Sequence, residues 1–170
     1  MNEVIRIMAG GALLTALALL LPACYSLSGV SIDPGIDTYY VAPFKDNADN
    51  APAGLSTDLT EALKEKIRTQ SRLLYIEQDP DLEFRGTVVD YRITAEAPQP
   101  GERTSINRLT IVTAVEYIHH RDEDKGWKSN FSFFFDFPST TDLSSIETEA
   151  NRVIIDQIME DIFNKAFTDW

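Results

Sequence analysis

The sequence predicts an α+β fold, a two-layer sandwich of two helices on one face of a mixed, mostly antiparallel sheet of four to five strands, in the order β-α-β-β-β-β-α. Three observations predict it. Leu55, Leu59, Leu63 and Ile67 recur every four residues, which draws one apolar stripe on an amphipathic helix. Between Leu82 and Phe137, three long segments are rich in β-branched and aromatic residues and largely alternate apolar with polar positions, as strands do. From Ser144 onward no Pro or Gly occurs, and two adjacent i+4 rows form one broad apolar face: Ile154, Ile158, Ile162, Ala166 and Trp170, beside Ile155, Met159, Phe163 and Phe167.

In chain order, Ile36–Phe44 reads as a first strand closed by Pro43, and the polar segment Lys45–Gly54 as a loop. The first helix follows, with Asp58 and Glu61 near its positive end and Lys64, Lys66 and Arg68 in later turns. Ser56 or a neighbour is expected to cap it. Leu73–Ile76 is a short strand ended by Asp79-Pro80. The crossover between these strands is expected to be right-handed and to leave them parallel. In Leu82–Ala95 the apolar positions run 82, 84, 88 and then shift to 89, 91, 93, which implies a bulge or a strand covered on both faces. Ile106–Ile118 places Leu109, Ile111, Val115 and Tyr117 on one face, and Trp127–Phe137 does the same with Phe131, Phe133, Phe135 and Phe137. Pro98–Ser105 and His119–Gly126 are read as the hairpin loops between them. Ser144 with Glu147 matches a capping box at the start of the last helix, whose roughly 25 residues at about 1.5 Å each give a rod of about 37 Å.

Residues 36–170 therefore make a single domain. What precedes them is different in kind. The apolar run from Ile7 to Leu20 leads into Leu21-Pro22-Ala23-Cys24. Ile7–Ala23 is only 17 residues, interrupted by Gly10, Gly11, Thr15 and Pro22, so it is short for a membrane span. It reads as a lipoprotein signal peptide, residues 1–23, cut so that Cys24 becomes the acylated N-terminus. Residues 24–35 are then the lipidated Cys and a tether. Several acyl chains on Cys24 are enough for anchoring, at about 0.8 kcal/mol per buried CH2, whereas one chain alone is marginal. Tyr25 follows the Cys where an Asp would signal inner-membrane retention, and no acidic cluster comes next. The expected address is the periplasmic face of the outer membrane.

Composition narrows the partners. The chain has 27 acidic and 15 basic residues, a net charge of −12. Loss of Glu3 and Arg6 with the signal peptide removes one of each and leaves that balance unchanged. Such a charge argues against a nucleic-acid binder and against a polybasic attachment to anionic lipid. With one Cys in 170 residues, no intrachain disulfide can form, and apolar packing alone must hold the domain.

The search for chemistry returns little. His119 and His120 are the only histidines; adjacent at a strand end, they point apart and read as hairpin residues rather than metal ligands. No nucleophile elbow, phosphate-binding loop or calcium loop occurs. The sequence offers no argument for an enzyme, a cofactor or a metal. Two features remain as candidates. Arg72, Arg85, Arg92, Arg103 and Arg108 lie on or beside the strands and form either a local anionic-ligand site or ordinary cross-strand pairs with Glu83, Glu96 or Glu116. Val112, Ala114, Ile118 and Phe134 point opposite to the main core rows, so they are either hidden by twist and edge loops or left for a partner.

Several stretches carry a family resemblance. They are the lipobox with Cys24-Tyr25-Ser26; Leu59-Thr60-Glu61-Ala62-Leu63-Lys64; Asn107-Arg108-Leu109-Thr110-Ile111; Phe131-Ser132-Phe133-Phe134-Phe135; Leu143-Ser144-Ser145-Ile146-Glu147; and Ile158 through Ala166. In order and type they resemble the LptE family of lipopolysaccharide-assembly lipoproteins, over most of the mature chain. The resemblance implies two helices on a four-stranded sheet and a non-catalytic role. It also implies an LptD-like outer-membrane β-barrel as partner, plugged from within and assisted in its assembly and in lipopolysaccharide export, with lipopolysaccharide itself as a candidate ligand. No ligand-binding residue carries over, because no motif here matches one. The alternative is a lipoprotein adaptor, or a carrier of an apolar ligand, in another envelope assembly.

Overall fold

The computed structural model describes residues 30–96 and 105–168. Cys24, Arg103, Trp170 and most of the Pro98–Ser105 connection lie outside the described residues. The elements are β1 (Thr38–Val41), β2 (Lys45–Asp46), α1 (Leu55–Gln70), β3 (Leu74–Tyr75), β4 (Leu82–Glu96), β5 (Ile106–His119), β6 (Trp127–Pro138) and α2 (Leu143–Phe167), with one 3-10 turn at Glu123–Lys125 before β6. They form the predicted α+β sandwich. The sheet runs β3-β1-β4-β5-β6, with β2 also beside β4, so two very short strands bring the described count to six. β1 pairs in parallel with β3 and β4, whereas β4, β5 and β6 form one long antiparallel meander.

Three local expectations are corrected. The first strand is not continuous from Ile36 to Phe44: β1 stops at Val41, the chain steps through Ala42-Pro43-Phe44, and β2 resumes pairing with β4 inside the expected loop. Pro43 has no N–H to give a ladder, which favours the break there. Ser56 does not cap α1. Gly54 occupies that position with φ of 99°, a left-handed backbone that suits a residue without Cβ, and Ser56 instead accepts a bond at its carbonyl from Thr60 Oγ1 at 2.6 Å. The Ser144–Glu147 capping box does not form either. Asp142 is the N-cap, so Ser144 already lies in the first turn, and Glu147 accepts a bond from the Tyr91 hydroxyl of β4 at 3.0 Å.

The phase shift in β4 is a β-bulge. Val88 pairs with Thr113, Asp90 pairs with Val112, and Val89 is the extra residue. The inner row before it (Leu82, Phe84, Val88) and Tyr91 after it all stay buried, so the bulge keeps one face apolar along a strand that would otherwise turn its side chains over. Opposite them, Leu109, Ile111, Thr113, Val115 and Tyr117 make the inner row of β5.

Both helices cover this inner face. The two helices also pack on each other: Leu59, Leu63 and Ile67 of α1 and Ile154, Ile158 and Ile162 of α2 are all fully buried in one shared core. Ile155, Met159, Phe163 and Phe167 fill the second row, and Lys66 of α1 pairs with Glu160 of α2 at the rim. Phe44 closes the margin where the first strand breaks. Its N–H donates to Thr60 Oγ1 at 2.9 Å, and its ring packs against Gly86 in the space a Cβ would take. Asp81 ties the start of β1 to the start of β4. Its carboxylate accepts bonds from the Asp37 N–H at 2.9 Å, the Thr38 N–H at 3.0 Å, Thr38 Oγ1 at 2.9 Å and Arg121 Nε at 2.5 Å. The backbone donor at Asp37, with Arg121 and Thr38, holds this carboxyl well below the usual carboxylate range despite its desolvation.

Three outcomes follow from this packing. A Cβ at position 86 would fall 2.2 to 2.4 Å from three Phe44 ring carbons, so Gly86→Ala should cost about 1–3 kcal/mol, read from the urea midpoint. Ile158→Asp places an unpaired charge at a fully buried position and should cost about 4 kcal/mol or more, seen as loss of cooperative thermal unfolding. Because the folded Asp81 resists protonation, its contribution is complete above about pH 4 and falls as the pH drops toward its lowered pKa. Asp81→Asn should therefore cost about 2 kcal/mol at neutral pH and flatten the acid side of the stability curve.

Candidate partner-binding surface

One face of a sheet that carries helices on the other can stay in contact with water, provided its side chains tolerate it. On the outer face of β4–β5–β6, described residues are mixed in character. β4 contributes Arg85, Thr87, Asp90, Arg92 and Thr94; β5 contributes Arg108, Thr110, Val112, Ala114, Glu116 and Ile118; β6 contributes Lys128, Asn130, Ser132, Phe134 and Asp136. No described helix or strand lies over them.

The four expected apolar residues all lie on this face. Val112, Ala114 and Ile118 are partly buried by their neighbours within the sheet, and Phe134 is 43% exposed. Register separates them: Val112 lies opposite Ser132 and Asp90, Ala114 opposite Asn130 and Thr87, and Phe134 opposite Thr110. They form a thin apolar seam between polar side chains. The Arg108 guanidinium stacks 3.8 Å above the Phe134 ring and, turned the other way, donates to both Asp136 oxygens at 2.7 and 2.8 Å. That pair holds Asp136 below its ordinary pKa.

The arginines are distributed unevenly. Arg85, Arg92 and Arg108 share the outer face. Arg92 faces Thr110 and Arg108 faces Thr94, so these two are diagonal neighbours, roughly 7–8 Å apart at Cα. Arg85 is seven residues from Arg92 along β4, on the order of 20 Å away. Arg72 is at the other margin, donating to Asp37 Oδ1 at 2.7 Å and to the Asp33 carbonyl at 3.2 Å. Each described arginine of the set meets a carboxylate: Arg85 donates to Glu83 at 2.6 Å, Arg92 pairs with Asp90, and Arg108 also comes within 3.8 Å of Glu96. Burial pushes the Glu83 carboxyl up, but Arg85 and His120, whose Nε2 is 3.0 Å from it, outweigh that and hold it lowered. His119 turns inward and is buried, so the two histidines do diverge. Among the described residues, no cluster of three or more His, Cys, Asp or Glu side chains is placed to hold a metal.

Two depressions were not legible in the sequence. One lies on the outer face, where Lys45 of β2 joins Arg85, Thr87, Glu116, Lys128 and Asn130; Lys128 donates to Glu116 at 2.9 Å. It exists because β2 brings Lys45 back to β4 after the first strand is interrupted at Ala42–Phe44, and the sequence placed Lys45 in a loop. The other runs between the N-terminal halves of α1 and α2, with Leu55, Ala62 and Ile155 as apolar floor and Asp58, Glu61, Glu147 and Asp156 along its walls. Ala62, a small residue beside the leucine stripe, was the one available sign of it.

Among curated proteins, none matches the sequence. Solved structures of similar shape include a minor lipoprotein from Acinetobacter baumannii, 12% identical, covering 78% of this chain and 97% of that one at a TM-score of 0.48. Lipoprotein B from Nitrosomonas europaea is 10% identical, with 75% and 80% covered and a TM-score of 0.49. The PelC dodecamer subunit from Paraburkholderia phytofirmans is 13% identical, with 76% and 89% covered and a TM-score of 0.44. The family model for LptE, described as lipopolysaccharide-assembly, matches residues 36–166, which span every described element from β1 into the last turn of α2. The chain belongs to the LptE family of lipopolysaccharide-assembly proteins.

Proposed function

We propose that this protein is an outer-membrane lipoprotein, acylated at Cys24, that binds and plugs an LptD-like β-barrel from the periplasmic side and supports its assembly and the export of lipopolysaccharide. The observation that carries the reading is the family match across the whole domain. The structure is compatible with work done by contact. The inner face is filled by side chains from both helices, and the outer sheet face offers a broad surface of paired charges and a thin apolar seam. Such a surface suits an aqueous barrel lumen, where polar walls meet polar walls and a large greasy patch would be a liability. Lipopolysaccharide is the candidate ligand; Arg92 and Arg108, adjacent on the outer face, are the candidate anion contacts, and Arg72, Arg85 and Arg103 are placed apart from them or outside the described residues. The mechanism asks no bond-making of this chain. The tether limits where the domain can be, and the rigid sandwich supplies a preformed surface.

Radiolabelled palmitate should enter the wild-type chain and not Cys24→Ser, and the wild-type chain should be recovered from detergent-solubilised outer membrane together with a large β-barrel. A wild-type chain that takes no label, or that comes out alone, would sink the reading.

A further inference from the structure

The long strand β4 is paired on both sides for only half its length. On the β1/β2 side its ladder ends at Asp46 opposite Val88, with the Asn47 N–H donating to the Val88 carbonyl at 3.0 Å. Beyond that point, Asp90–Glu96 pairs with β5 on one side, and no described strand pairs with it on the other. A strand edge of seven residues with free backbone groups is a template for another strand. Two of the large apolar side chains exposed in the described residues stand here: Val89, at 40%, and Ile93, at 46%. Ile93 is on the inner face, opposite the fully buried Leu109, so it extends the core row past the cover of the helices. The groove between the helix N-termini opens beside this edge, joined to it by Tyr91, whose hydroxyl donates to Glu147 at 3.0 Å.

The other long edge, β6, does not combine these features. Its inner aromatic residues lie against α2, its outward positions are mostly polar, and it ends on Pro138, a residue that blunts an edge.

We infer that the free edge of β4, Asp90–Glu96, is a strand-addition site, and that its occupant is an extended segment of the barrel partner, apolar at alternate positions and basic rather than acidic. The inference rests on the proposed function for the identity of the partner. Charge decides against a second copy of this chain, since each copy carries −12. Around the edge and its groove, Asp58, Glu61, Asp90, Glu96, Glu147 and Asp156 outnumber Arg92, Arg108 and Arg152, each of which already pairs with a carboxylate. With the chain cut ahead of Cys24, as proposed above, its own tether is too short. Ser31 is fixed beside the C-terminal end of α2, its N–H donating to the Phe167 carbonyl at 2.7 Å. From Phe167 back to Glu147 the helix spans roughly 30 Å, whereas the few residues between Cys24 and Ser31 reach about 25 Å fully extended. Main-chain pairing would supply affinity, and the contacts of alternate side chains with Val89 and Ile93 would supply specificity.

The test is amide hydrogen exchange on the full-length acylated chain in detergent, alone and in its purified complex with the co-recovered barrel. Amides in 90–96 should exchange at least about tenfold more slowly in the complex, and Ile93→Lys should weaken recovery of the barrel about tenfold while leaving the circular dichroism of the free domain unchanged. Complex formation with these amides exchanging as in the free chain overturns the inference and leaves the functional reading standing. Protection that grows with the concentration of this chain alone assigns the edge to a second copy and also overturns it. Failure to recover any barrel overturns both.

Discussion

The structure depends on the burial of one wide apolar face on α2. It reaches both neighbours at once: Ile155 lines the groove against α1 and Phe163 lies under Lys66 of α1, Phe167 packs on Phe84 of β4, and Ile154, Ile158 and Ile162 are fully buried in the shared core. No disulfide is available within the chain, so nothing covalent substitutes for this contact. The long meander β4–β5–β6 has apolar residues at alternate positions and would be an aggregation-prone ribbon without it. Much of α1's anchorage also runs through α2, by apolar contact and by the Lys66–Glu160 pair. The helix is thus the element that turns a ribbon and a short β-α-β unit into one body.

The bulge at Val89 is the second constraint, and it has two effects. It restores the facing of β4 so that Tyr91 continues the inner row, and it marks where β4 loses its outer neighbour. Up to Val88 the strand is interior to the sheet; beyond it the strand is an edge. The exposed pair Val89 and Ile93 belongs to that transition. Core-like residues continue past the point where the described residues cover them, a pattern that fits a surface completed by something else.

Electrostatics on the outer face follow the same economy. The chain carries −12, yet its described arginines there are each neutralised locally, by Glu83, Asp90 or Asp136. Exposed pairs of this kind add little stability, at most about 1 kcal/mol each. Their value lies in shaping a surface. Arg108 is held by Asp136 in the pose that covers Phe134, so an aromatic ring on an outward strand position is shielded without being buried.

The sequence by itself determined the elements and their facing. The four-residue stripe of α1, the double row of α2, the alternation in the strands and the phase shift that became the bulge are all short-range patterns, set by 3.6- and 2-residue periods and legible in any window that contains them. Family membership was legible for the same reason, being spread over the order and type of many positions. Tertiary structure decided what depends on residues far apart. Glu147 left its capping box because Tyr91, 56 residues earlier, reached it first. The first strand broke at Pro43 and resumed as β2 because β4 offered a partner there. Of the described arginines that could have formed either a cluster or cross-strand pairs, Arg92 and Arg108 became neighbours and Arg72 and Arg85 did not join them, since strand register fixes which residues meet and no single strand encodes its partner's register. The free half of β4 is likewise a property of two strands that stop early, visible only once the sheet is assembled.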